Sequence, residues 1–162
     1  MKEKLIGVDI EPCPIVKIRV INAGFDDDLT IKSKKKFPFT LCVDVEVTVQ
    51  TEKNIFNFKI PKGYVWNGAD IPKILFVFGQ SKDNNYLIAS MVHDFLLENR
   101  VKLYKGKLLS QITPDEYRRL TSLIFRQILK DQKTNVIKAN IMAWCVDVFQ
   151  MTVQAKQWEC LK

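Results

Sequence analysis

Leu41-Cys42-Val43-Asp44-Val45-Glu46-Val47-Thr48-Val49-Gln50 decides the fold class. Leu41, Val43, Val45, Val47 and Val49 fall on one face. Cys42, Asp44, Glu46, Thr48 and Gln50 fall on the other. A period of two with β-branched residues on one side describes a strand with one buried and one wet face. Thr51-Glu52-Lys53-Asn54 then reads as a turn. Phe56, Phe58 and Ile60 alternate against Asn57 and Lys59 beyond it. The two runs make an antiparallel hairpin.

Towards the N-terminus, Ile15-Val16-Lys17-Ile18-Arg19-Val20-Ile21 alternates apolar and basic residues and reads as a further strand. A charged connection runs from Asp26 to Lys36. The character changes after Pro61-Lys62-Gly63. Between residues 83 and 98 the apolar positions Tyr86, Ala89, Met91, Val92, Leu96 and Leu97 suit a helix. Thr113-Pro114-Asp115-Glu116 announces another, with a capping hydroxyl, proline at the first helical position and Glu three residues on. Its stripe runs through Tyr117, Leu120, Ile124 and Ile128, widened by Leu123 and Phe125. Thr134 or Asn135 caps the last helix, where Ile137, Ile141, Trp144, Val148 and Met151 form the expected buried seam. Strands followed by helices imply an α+β fold, an N-terminal antiparallel sheet of about 3–4 strands packed against 3–4 C-terminal helices. One domain is expected over residues 1–162, strand-rich over 1–60, loop over 61–72 and helical over 73–162.

The chain has 162 residues, 47% hydrophobic and 27% charged, an ordinary globular composition. No segment approaches the roughly 20 apolar residues of a membrane span, so no membrane partner is expected. Cys13, Cys42, Cys145 and Cys160 form no C-x-x-C pair, and His93 is the single histidine. Neither a metal site nor a cofactor is expected, and the thiols read as free in a reducing cytoplasm. The net charge is +7, part of it local to Lys32, Lys34, Lys35 and Lys36 and to Arg100, Lys102, Lys105 and Lys107. Such clusters bind nucleic acid or an acidic protein face in some proteins, but solvated loops are the reading favoured here.

One segment carries the chemistry-bearing residues: Ile60-Pro61-Lys62-Gly63-Tyr64-Val65-Trp66-Asn67-Gly68-Ala69-Asp70-Ile71-Pro72. Two glycines, two prolines and the Tyr64-x-Trp66 pair describe a shaped loop. Asn67-Gly68 marks a turn, and Asp70 is placed to cap a helix. Ile74, Leu75, Phe76, Val77 and Phe78 follow, too apolar to lie bare, and are expected to pack inward or meet a partner. His93 then stands on a helix beside Asp94, with Ala89, Leu96 and Leu97 as its helical neighbours. A histidine on such a face either satisfies its nitrogens structurally, for which the 63–72 loop is the expected partner, or serves as a base with Asp94 or Asp70 orienting it or holding a metal. Adjacent helical residues diverge by about 100°, which places Asp94 poorly for that task.

Gly63-Tyr64-Val65, then Gly68-Ala69-Asp70-Ile71-Pro72, then His93-Asp94 on a helix together resemble the phage and prophage family called domain of unknown function 1353. Its members share a Gly-aromatic-x-x-[Asp/Asn]-Gly-Ala-Ser-Ile-Pro loop, a His-Asp-x-x-Tyr helix and a later helix holding an Ala-Asp pair. This chain departs from that pattern. Asn67 stands where Asp is frequent, Asp70 where Ser is usual, Leu97 at the Tyr position, and Thr121-Ser122 where Ala-Asp is aligned. The resemblance implies a phage protein without a settled activity, and the lost carboxylate favours a structural descendant over an enzyme. The expected function is a virion-associated structural or interaction protein, at the neck or tail or as a decorating or packaged component. It would be made in the host cytoplasm, partnered by other phage structural proteins in an oligomeric assembly. No catalytic residue is favoured. A small metal-assisted hydrolase at the cell envelope, built on His93, Asp94 and Asp70, is the first alternative. A cytoplasmic accessory protein binding a host factor or nucleic acid is the second. Interaction residues are expected among Ile74, Leu75, Phe76 and Phe78 and at Lys34, Lys35 and Lys36.

Overall fold

The computed structural model describes residues 4–11, 16–18, 39–66, 85–105, 112–152 and 155. Among these, six strands precede four helices. The strands are β1 (Leu5–Glu11), β2 (Val16–Ile18), β3 (Phe39–Leu41), β4 (Val45–Thr51), β5 (Ile55–Ile60) and β6 (Val65–Trp66). The helices are α1 (Asn85–Glu98), α2 (Arg100–Lys105), α3 (Pro114–Asp131) and α4 (Val136–Thr152). The main sheet has the order β1-β4-β5 and a smaller one the order β2-β3-β6, with antiparallel pairing throughout. The fold is α+β, as the patterning implies.

The β4–β5 hairpin forms where the alternation places it, with Val45 opposite Ile60, Val47 opposite Phe58 and Val49 opposite Phe56. Val45, Val47, Val49, Phe56 and Ile60 are buried while Glu46 and Gln50 are exposed. Thr51 closes the turn, its Oγ1 accepting from the Asn54 N–H at 3.0 Å. The run from Leu41 to Val49 is not one strand, however. It leaves the small sheet after Leu41 and enters the main sheet at Val45. Asp44 pins the crossing: it accepts from the Lys62 N–H at 2.7 Å and pairs with Lys59 Nζ at 2.6 Å. These bonds, the Lys59 one first, hold its carboxyl below the usual range. Unbroken alternation survives the crossing because both sheets bury the same odd-numbered face. The main sheet also begins earlier than residue 15. One of its two outer strands is β1, whose mixed burial and register shift between Leu5 and Gly7 weaken the period-two signal.

α3 starts at the expected cap. Thr113 Oγ1 accepts from Glu116 N–H at 3.2 Å, and Glu116 Oε2 accepts from Thr113 N–H at 2.9 Å. Lys133 takes a positive φ of 60° after the last turn, and Asn135 caps α4 through its Oδ1 to the Ile137 N–H at 2.9 Å. Tyr117, Leu120, Ile124, Phe125, Ile128 and Leu129 of α3 are buried, and this helix packs against β1, α1 and α4. α1 is described from Asn85, residues 83 and 84 lying outside the described residues, and the short α2 continues it past Asn99.

The face of α4 corrects the sequence reading. Ile137, Trp144 and Met151 are 70%, 66% and 55% exposed, whereas Ala139, Met142, Ala143 and Gln150 are buried. Two stripes compete on this helix, because apolar residues occur all round it. Alanines at 139 and 143 let the α3 and α4 backbones approach closely, and Gln150 finds buried partners on that side. Ile137, Trp144 and Met151 are left outside, while Ile141 and Val148 of the expected seam are half-buried.

Candidate functional site

Pro61-Lys62-Gly63-Tyr64 forms a tight turn in which the Tyr64 N–H donates to the Pro61 carbonyl at 3.1 Å. Gly63 has φ +86°, the left-handed value that the third position of a type II turn demands. Its own N–H donates to the Leu41 carbonyl at 2.8 Å, tying the turn to β3. Tyr64 is delivered from this turn onto α1. Its ring stacks parallel to Trp66 at 6.1 Å and stands edge-on to Phe95 at 5.3 Å. Its hydroxyl donates to Glu98 Oε2 at 3.0 Å. Burial raises the Tyr64 pKa, and burial likewise raises that of Glu98 against the opposing pull of the hydrogen bond. Trp66 is buried under this pair, 5.6 Å from the Phe39 ring.

His93 lies 7% exposed on α1, with Phe125 of α3 edge-on at 5.6 Å. Its Nε2 is 2.9 Å from Gln150 Nε2 of α4. With the amide nitrogen donating, the imidazole nitrogen accepts and the ring hydrogen sits on Nδ1. Asp94 Oδ1 is 3.6 Å from Nδ1, beyond a hydrogen bond, as the divergence of adjacent helical residues requires. Gln150 is fully buried and also donates to Ser122 Oγ at 3.3 Å. Ser122 Oγ lies 3.4 Å from Asp147 Oδ1, and Asp147 pairs with the buried Arg118. Thr121 donates to the Arg118 carbonyl at 2.7 Å, so its contact with Gln150 Oε1 at 3.4 Å is secondary. A polar chain thus crosses three helices: His93, Gln150, Ser122, Asp147, Arg118. Gln150 stands between His93 and Ser122, so the imidazole is not bonded to the hydroxyl as a serine–histidine relay needs.

The outer end of this chain opens into a groove of about 360 Å³ between α3 and α4. Leu123 and Ala143 line it, together with Arg119, Arg126, Trp144 and Asp147. Arg126 Nε is buried there and has no hydrogen-bond partner among the described residues. Trp144 is exposed, as are Ile137 and Met151 seven residues to either side of it on α4.

Of the residues singled out from sequence, the structure brings Gly63, Tyr64 and Trp66 to one end of α1 and places His93 and Asp94 on that helix. Asn67, Gly68, Asp70 and Pro72 lie outside the described residues, as do Ile74, Leu75, Phe76, Phe78, Lys34, Lys35 and Lys36. The expected tie between His93 and residues 63–72 therefore rests partly on undescribed positions. The described partner of His93 Nε2 is on α4 instead. Gln150 and the Arg118–Asp147 pair were missed. A glutamine in a helix otherwise rich in apolar residues, in register with Ala139 and Ala143, was the available signal. Among the described residues, no group of three or more His, Cys, Asp or Glu is placed to hold a metal ion. No described helix is long and apolar enough to cross a membrane.

Comparison with curated proteins and with solved structures finds no match. A family model, Protein of unknown function (DUF1353), matches residues 41–146, from the end of β3 into α4. That span holds the Gly63 turn, the His93-Asp94 helix and Thr121-Ser122, and it exceeds half of the chain. The chain belongs to the DUF1353 family of proteins of unknown function.

Proposed function

We propose that the chain is a non-catalytic interaction protein, a structural component of a bacteriophage particle that holds another protein of the assembly on the outer face of α4. The observation that carries this reading is the exposed row Ile137, Trp144 and Met151 on a helix whose opposite side is already packed. A folded chain that leaves a tryptophan two-thirds bare between two other large apolar side chains presents a surface suited to a partner. His93 supports the reading through its bonds, since an imidazole engaged with a buried amide serves packing. The phage setting comes from the resemblance of the glycine loop and the His-Asp helix, and the protein would be carried in the virion after synthesis in the host cytoplasm.

Mass spectrometry of purified particles from a phage or induced prophage encoding the chain tests this. The chain should co-purify in fixed ratio to the major particle proteins. Its absence from particles overturns the reading. So does turnover of a cell-envelope substrate by the purified protein that is lost in a well-folded His93→Gln variant.

A further inference from the structure

Ile137, Trp144 and Met151 recur every seven residues on α4, and the half-buried Ile141 and Val148 fall between them at spacings of four and three. This is the repeat by which one helix receives the apolar seam of another. Across the groove, Arg119 and Arg126 of α3 are also seven residues apart, so they stand on one side of their helix two turns from each other. Neither guanidinium has a hydrogen-bond or ion-pair partner among the described residues. The acidic groups nearby are committed: Glu116 to the Thr113 cap and Asp147 to Arg118. Trp144 of the apolar row and both arginines of the basic row therefore line one groove of about 360 Å³.

We infer that this groove docks an amphipathic acidic helix of a partner protein, its apolar seam on Ile137, Trp144 and Met151 and its carboxylates on Arg119 and Arg126. The inference rests on the interaction reading above and names the chemistry of the partner. Charge decides between this occupant and a second copy of the chain. Each copy carries a net charge of +7, and a two-fold pairing along α4 would bring two unpaired arginine rows to one seam. A helix with aspartate or glutamate beside its apolar positions neutralises that row instead.

The probe is a pair of synthetic peptides about four helical turns long, with leucine at the seam positions and either glutamate or lysine elsewhere. Both are titrated by calorimetry against the full chain. The glutamate peptide should bind and the lysine peptide should not. Trp144→Ala should weaken the glutamate peptide about tenfold or more. Arg119→Glu with Arg126→Glu should weaken it comparably and remove its salt dependence. Circular dichroism confirms that each variant keeps its helix content. Failure of the glutamate peptide to bind, or equal binding of both peptides, overturns the inference. A dimer in analytical ultracentrifugation that Trp144→Glu dissociates also overturns it, because the occupant is then a second copy. A chain absent from phage particles that still selects the glutamate peptide sinks the particle reading and leaves this one standing.

Discussion

Gln150 holds the centre of the buried polar chain, with His93 on one side and Ser122 on the other. A buried donor or acceptor that loses its partner costs the desolvation of the orphaned group, and removing bulk adds a void. His93→Ala is therefore expected to lower stability by about 1–3 kcal/mol, with His93→Gln recovering part of the loss by restoring an acceptor towards Gln150. Gln150→Leu should cost about the same, since it orphans His93 Nε2 and removes one of the two partners of Ser122 Oγ. The two losses are not independent. Denaturant unfolding of a His93→Leu/Gln150→Leu double variant should show less destabilisation than the sum of the singles, because each single change already breaks the shared bond. Strict additivity would mean that the bond contributes nothing. The burial of His93 was legible from its apolar neighbours Ala89, Leu96 and Leu97. Its partner, 57 positions away, was not, because no local pattern records which helix face will lie opposite.

Helix α3 and helix α4 were read by the same rules with opposite results. α3 has charged residues along one side and a cap spelled out by Thr113 and Glu116, so its start and buried face follow from local chemistry. Thr113→Ala should lower stability by roughly 0.5–2 kcal/mol, measured by thermal unfolding, and no change would place the start of the helix elsewhere. α4 carries only Lys138 and Asp147 as charges, and hydrophobic pattern cannot choose between its two stripes. Size chooses instead. Ala139 is fully buried at the helix contact, and Ile137 is mostly exposed. Ala139→Leu is expected to cost about 1–3 kcal/mol by overpacking, while Ile137→Ser should stay within about 0.5 kcal/mol. Similar costs at the two positions would mean that the stripes share burial. The strands show the complementary lesson. Alternation over residues 41–50 identified the buried face correctly but not the change of sheet at Asp44, since a strand that bends into a second sheet keeps its period.

At the scale of the molecule, the sheets and helices share one apolar core, and aromatic contacts that the sequence did not pair lie within it. Phe95 of α1 stacks on Phe58 of β5 at 5.9 Å and receives the edge of Tyr64, which follows the Gly63 turn beside the small sheet. One side chain thus touches the main sheet and the segment leading into β6 from the helical layer. Within the helical layer, the Tyr117 hydroxyl donates to the Leu96 carbonyl at 2.8 Å and joins α3 to α1. If the strand-rich and helical parts form one domain, these contacts make their unfolding a single event. Far-ultraviolet circular dichroism, weighted towards the helices, and tryptophan fluorescence, to which Trp66 of the small sheet contributes, should then trace one coincident denaturant transition. Phe95→Ala removes the shared ring and should lower stability by about 3–5 kcal/mol, the usual cost of emptying a buried aromatic site. The loss should appear equally in both signals, because neither layer keeps its packing once the other has gone. A fluorescence transition that moves while the helical signal stays in place would divide the chain into two units and refute the single-domain expectation.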